Sequence, residues 1–145
     1  MNHPSICFVG LHNLPALAPQ FASEGCSSEA MQHVMLAQAL VRRGYQVSMI
    51  VDDHGQPDGA CWRGISCHIA RGMLEFVPGV RTTQPRWLGL WNAARRADAD
   101  IYYVSGADVL VGEISMLARH FDRKVIFRTA HDVLMKLEAV KNRLT

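Results

Sequence analysis

The segment from Gly25 to Val51, GCSSEAMQHVMLAQALVRRGYQVSMIV, constrains the fold more than any other part of this chain. It reads as a small-residue turn, an amphipathic helix, a glycine stop and a buried strand. Val34, Ala37, Leu40, Val41 and Gly44 recur at helical spacing on one face, while Gln32, Gln38 and Arg42 fall largely off it. Ser27 and Ser28 suit the N-cap, and Glu29 puts a negative charge in the first turn, where the helix dipole favours it. Arg42 and Arg43 close the last turn, and Gly44 supplies the left-handed residue after it. Gln46 to Val51 is mostly apolar with little alternation, as expected of a strand covered on both faces. With a preceding strand at Ser5 to Gly10 this makes a β-loop-helix-β unit. The first loop and helix N-terminus of such a unit form a natural anion site.

The remaining elements follow the same alternation. The loop Leu11 to Cys26 carries Pro15, Pro19 and Gly25, and its length marks it as functional or mobile. Asp52 to Gly64 is turn-rich and polar, Ile65 to Ile69 a short strand, and Ala70 to Arg86, with Gly72, Pro78, Gly79 and Pro85, irregular. Trp87 to Ala97 suits a helix, with Leu88, Trp91 and Ala94 on one side, and Arg95 and Arg96 form its solvated end. Asp100 to Val104 is a strand ending in Ser105-Gly106, and Asp108 suits the cap of a helix from Val109 to Phe121. Lys124 to Arg128 is a fifth strand, ending at Thr129-Ala130-His131-Asp132. Val133, Leu137, Val140 and Leu144 then recur at helical spacing. Strands alternating with helices predict an α/β, Rossmann-like three-layer sandwich with a mostly parallel sheet of order 3-2-1-4-5, one domain over residues 1–145.

Bulk properties exclude several function classes. A formal charge of +2 without a Lys/Arg run gives no basic stripe, so no nucleic acid is expected as a partner. Cys7, Cys26, Cys61 and Cys67 show no CxxC spacing, and Cys7 falls in a buried strand, which predicts reduced thiols and a cytosolic compartment. The sequence shows neither a signal-peptide pattern nor an apolar stretch of transmembrane length, and its composition is compatible with peripheral membrane association.

Ligands in such a sheet bind at the carboxyl ends of the strands. That edge collects Gly10 to His12, the Gly25 to Glu29 turn, Asp52 and Asp53, Ser105 to Asp108, and Thr129 to Asp132. GxGxxG and GxxxxGK[ST] do not occur, which argues against nicotinamide and NTPase chemistry. Asp52, Asp53, His54 and Asp58 offer hard oxygen ligands beside an imidazole, but turn-rich loops hold such residues for conformational reasons, and no metal is expected. Cys26 sits where a helix N-terminus lowers a thiol pKa, with no base spaced to make it a nucleophile. His131 reads either as a cleft residue or as a backbone partner, and Asp132 as an N-cap or a site residue.

The order of an apolar strand, a long Pro-containing loop, a small-residue turn with Glu and QxxxLAxALxRRGxxVSMIV resembles the N-terminal domain of family 4 glycosyltransferases. So do DADIYYVSG (Asp98 to Gly106) and VIFRTAHD (Val125 to Asp132), and the resemblance covers essentially the whole chain. It implies the N-terminal half of a GT-B architecture, in which two Rossmann-like domains face each other across a cleft. The reaction it implies is transfer of a sugar from a nucleotide-sugar to a hydroxyl acceptor, with retention, in polysaccharide or glycoconjugate assembly at the cytoplasmic face of a membrane. His131 takes the place of the family's histidine near the reacting sugar. Gly25, Ser27, Glu29, Ser105, Gly106 and Asp132 take donor- or acceptor-binding places. Cys26-Ser27 stands where the family commonly has Gly-Gly, and side chains there narrow backbone approach to a ligand. The family's donor-binding domain, with its phosphate clamp and E-x7-E, has no counterpart in this sequence. The resemblance therefore implies a C-terminal GT-B domain in cis or trans, and little activity from this half alone. No metal or other cofactor is implied. A stand-alone binding module of flavodoxin-like topology and a nucleotide-sugar epimerase of the same architecture are the alternatives.

Overall fold

The four residues of β1 (Ile6–Val9) divide between two cores, as alternate strand positions must when both faces of a sheet are covered. Ile6 and Phe8 enter one core, and Cys7 and Val9 the other. The computed structural model describes residues 3–70, 74–77, 80–83, 86–105 and 109–128. After β1 come a short helix α1 (Leu14–Leu17), a 3-10 turn (Pro19–Glu24), α2 (Ser28–Arg42), β2 (Val47–Val51), β3 (Ala60–Trp62) and β4 (Ile65–Ile69). A hairpin of β5 (Leu74–Val77) and β6 (Val80–Thr83), α3 (Arg86–Ala97), β7 (Ile101–Ser105), α4 (Val109–His120) and β8 (Lys124–Arg128) complete the order.

The main sheet has six strands in the order β3-β4-β2-β1-β7-β8. All its pairings are parallel except β3 with β4. The five strands expected from the sequence stand in the expected 3-2-1-4-5 order, and β3 adds an antiparallel edge. One core joins β1, β2 and β4 to α1 and α2 through Phe8, Met49, Val51, Ile65, Leu14, Val34 and Ala37. The other joins β1 and β7 to α3 and α4 through Val9, Val104, Leu90, Ala94, Ile114 and Leu117. In α4, Leu110, Ile114, Leu117 and Ala118 fall on one stripe and are all buried. The result is the Rossmann-like α/β sandwich expected.

Several local expectations are met. Ser27 Oγ accepts the Ala30 N–H at 3.1 Å and caps α2, with Glu29 in the first turn. Gly44 has φ +88 and turns the chain out of the helix. At the opposite edge of the sheet, the Asp100 carboxylate accepts from Ser5 N–H at 2.9 Å and Ser5 Oγ at 3.2 Å. Arg123 bonds the same carboxylate at 3.0 Å, so β1, β7 and β8 are tied at their amino ends.

Three expectations are corrected. The Leu11 to Cys26 connection is not an open loop: Pro15 and Pro19 each start a helical turn, and Leu14, Leu17 and Ala18 are buried beneath α2 and the sheet. The Ala70 to Arg86 stretch contains the β5–β6 hairpin, in which Leu74 pairs with Thr83 and Val77 with Val80. Leu74, Phe76, Val77, Val80, Thr82 and Thr83 are strand-forming residue types, which the count of Pro and Gly in the stretch outweighed in the sequence. Arg96 is not a freely solvated helix end, since it pairs with Asp58 at 2.9 Å and donates to the Ile69 carbonyl at 2.8 Å. The expected helix from Val133 to Leu144 and the Asp108 cap lie outside the described residues. Among the described residues, no helix is long and apolar enough to cross a membrane.

Candidate functional site

β1 and β7 lie side by side, yet the chain leaves β1 for β2 on one side and returns to β7 on the other. Where the strand order reverses in this way, an open α/β sheet has a crevice at the carboxyl ends of its strands. A cleft of about 140 Å³ lies there. Gly10, Leu11, His12 and Asn13 line it from the segment after β1, and Ser27, Glu29, Ala30 and His33 from α2. Ser105, at the end of β7, and Leu110 of α4 complete the wall.

A chain of polar side chains runs through this wall. Asn13 Nδ2 lies 3.0 Å from His33 Nδ1, and His33 Nε2 lies 2.7 Å from Ser105 Oγ. Ser105 Oγ donates in turn to Glu29 Oε1. Asn13 and His33 are each 3% exposed, so neither exchanges these partners for water. An amide NH2 only donates, so His33 Nδ1 accepts and Nε2 carries the hydrogen of a neutral ring. Burial, the largest influence, pushes the His33 pKa below its ordinary 6.5, with Glu29 opposing and Arg128 reinforcing the shift. Protonation would also set an Nδ1–H against the Asn13 amide. The neutral imidazole is the form this site holds.

The local backbone explains the placement. Gly10 has no side chain, and the Asn13 side chain fills the room a Cβ there would need. Gly10 N–H donates to Ile50 O at 3.2 Å and Asp52 N–H to Leu11 O at 2.9 Å, which fixes the segment against the end of β2. His33 stands on the buried face of α2 with Ala30, Val34 and Ala37, packed against the rings of Phe8 and Tyr103, which also touch each other.

Of the residues expected at a site, Ser27, Glu29 and Ser105 are brought together around the cleft. Gly25 is exposed, ends the 3-10 turn with φ 80 and ψ 157, and is not among the cleft-lining residues. His131, Gly106 and Asp132 lie outside the described residues. Asn13 and His33 are additions from the structure. Their signal in the sequence was a histidine on the apolar stripe of a helix, since a buried ring nitrogen needs a partner. The acidic loop serves conformation: Asp53 Oδ1 accepts from Gly55 N–H at 2.9 Å, and Asp58 Oδ1 from Ile69 N–H at 2.8 Å. His12 and Asp52 stand 3.8 Å apart. Among the described residues, no group of three or more His, Cys, Asp or Glu is placed to hold a metal ion.

The chain is similar to a sucrose-phosphate synthase from Thermosynechococcus elongatus. The TM-score is 0.55 at 13% identity, over 88% of this chain and 32% of that one. The chain thus spans about a third of that protein's length. At this identity the likeness shows the fold alone, a Rossmann-like α/β layer, and not membership of family 4. No family model and no curated protein sequence matches.

Proposed function

We propose that this chain is the acceptor-side domain of a glycosyltransferase that moves a sugar from a nucleotide-sugar to a hydroxyl acceptor. The observation that carries the reading is the switch-point cleft. It sets the Glu29 carboxylate and the Ser105 hydroxyl at the end of a buried hydrogen-bond chain, in a fold similar to a GT-B enzyme. A carboxylate and a hydroxyl are the groups that recognise sugar hydroxyls, and a Rossmann-like layer presents them at a strand-order reversal.

In this reading, membership of family 4, retention at the anomeric carbon and a place in polysaccharide or glycoconjugate assembly at the cytoplasmic face of a membrane come from the sequence resemblance. By the same resemblance His131 takes the family's place near the reacting sugar and Gly106 and Asp132 take binding places, while Gly25 shapes the turn that leads into α2. A second GT-B domain, in cis or in trans, supplies most of the nucleotide contacts, and no metal takes part.

The test is an assay of the complete product of the native gene with a panel of nucleotide-sugars and hydroxyl acceptors. Acceptor-dependent release of nucleoside diphosphate is expected, and His131→Ala lowers turnover far more than folding stability. Saturable ligand binding without turnover would instead identify a stand-alone binding module. An altered nucleotide-sugar formed without acceptor would identify an epimerase.

A further inference from the structure

The hydrogens of the cleft's polar chain all run one way. Asn13 donates to His33 Nδ1, His33 Nε2–H donates to Ser105 Oγ, and the Ser105 hydroxyl donates to Glu29. Glu29 is the terminus of the chain, a carboxylate with lone pairs left over and no hydrogen to give. Its charge sits in the first turn of α2, where a phosphate would otherwise bind, so an entering anion meets a like charge. The ligand suited to this cleft offers hydrogens.

It also accepts them. Ser27 Oγ takes the Ala30 N–H and Ser27 O takes the Met31 N–H, which leaves the Ser28 and Glu29 amides as the leading donors of the helix. An ammonium group offers these amides nothing. A hydroxyl group donates to the carboxylate and accepts from an amide at once.

We propose that the cleft binds a neutral polyhydroxyl ligand through Glu29, that His33 positions this carboxylate through Ser105, and that diphosphate is excluded. The hydroxyl chemistry stands on the cleft, and the choice of a sugar as its bearer rests on the transferase reading. His33 acts as a positioning residue. Its protonation puts an Nδ1–H against the Asn13 amide and breaks the chain there, which unseats the ring whose Nε2–H holds Ser105, so binding weakens in acid. The groups that face the ring are Glu29 from its own helix, Tyr103 from β7 and Arg128 from β8, with His12 lining the same cleft.

The experiment is an amide NMR titration of the full chain with methyl glycosides of the common hexoses and, separately, with inorganic pyrophosphate. Saturable shifts at Ser28, Glu29 and Ser105 are expected with a glycoside and not with pyrophosphate. Glu29→Gln weakens the glycoside about tenfold, the loss of one charge-assisted hydrogen bond, and admits pyrophosphate. His33→Leu weakens it by a similar factor. His33→Gln, whose amide replaces the Nε2 donor, keeps binding near neutrality and loses the fall in acid. No saturable shift with any glycoside overturns the proposal, as does pyrophosphate binding more tightly than the glycosides. An unchanged acid fall in His33→Gln removes the positioning role. Because no donor sugar or turnover enters this measurement, a failed transferase assay leaves it standing, and glycoside binding without transfer counts against the transferase reading alone.

Discussion

The Asn13 side chain occupies the room that a Cβ on Gly10 would need, with Asn13 Cγ only 2.7 Å from that position. Asn13 is buried and bonded to His33, so it has no easy way to give. Gly10→Ala is expected to displace it, leave the Asn13 amide and His33 Nδ1 without each other, and destabilise the fold by about 1–3 kcal/mol. Gly112→Ala is the matched control. Gly112 lies exposed inside α4 with nothing within 4 Å of an added Cβ, so alanine there should stabilise by about 0.5–1 kcal/mol. Urea midpoints at unchanged slope measure both. Equal effects of the two substitutions would show that Asn13 moves aside freely.

Gly25 separates two reasons for a glycine. Its φ of 80 with ψ of 157 is backbone that other residues adopt only under strain, and an added Cβ would meet nothing within 4 Å. Gly25→Ala should therefore cost about 1–3 kcal/mol in the free protein, and Gly25→Val somewhat more, because its branched Cβ crowds its own backbone at this φ. Ligand binding that survives alanine and fails with valine would reveal a ligand passing over this turn.

The parallel strands were legible because burial on both faces writes them as nearly unbroken apolar runs, as in Ile6 to Val9 and Val47 to Val51. The β5–β6 hairpin was not, since Pro78-Gly79 reads the same whether it punctuates a hairpin or an irregular segment. At the site, Ser27 and Glu29 were legible from helix-start chemistry and Ser105 from the end of a strand. Asn13 and His33 owe their role to partners 20 and 72 residues away, and no local pattern encodes that. Only the polar ring on an apolar stripe marks the place.

The cysteines divide by burial. Desolvation pushes the Cys7 and Cys67 thiols up to about 12, and both side chains lie in the cores, whereas Cys26 and Cys61 are exposed. A disulfide-exchange reagent such as Ellman's should label Cys26 and Cys61 quickly in the native protein and all the cysteines after unfolding. Rapid native labelling of Cys7 would mean that β1 opens at its centre, contrary to the two-sided cover seen.

The pH dependence follows from the imidazoles. Burial holds the pKa of His33 and of His68 below 6.5, with Glu29 and Asp58 respectively pulling the other way. The unfolded chain takes up protons near 6.5 while the folded chain resists, so the unfolded state binds more protons and stability rises with pH in this window. The stability is present above 6.5 and is lost as pH falls from there through the lowered folded values, with a slope of at most about 1.4 kcal/mol per pH unit for each proton. Asp100, held below 3.8 chiefly by the Ser5 backbone and side-chain hydrogen bonds, contributes stability that is lost only in much stronger acid. Urea unfolding between about pH 7.5 and 5 therefore isolates the histidines. His33→Gln, which carries no titrating group, should flatten the profile in part, and adding His68→Gln should flatten it further. A His33→Gln profile as steep as the parent's would show that His33 takes up its proton in the folded state as readily as in water, and the neutral ring at the heart of the cleft would fall with it.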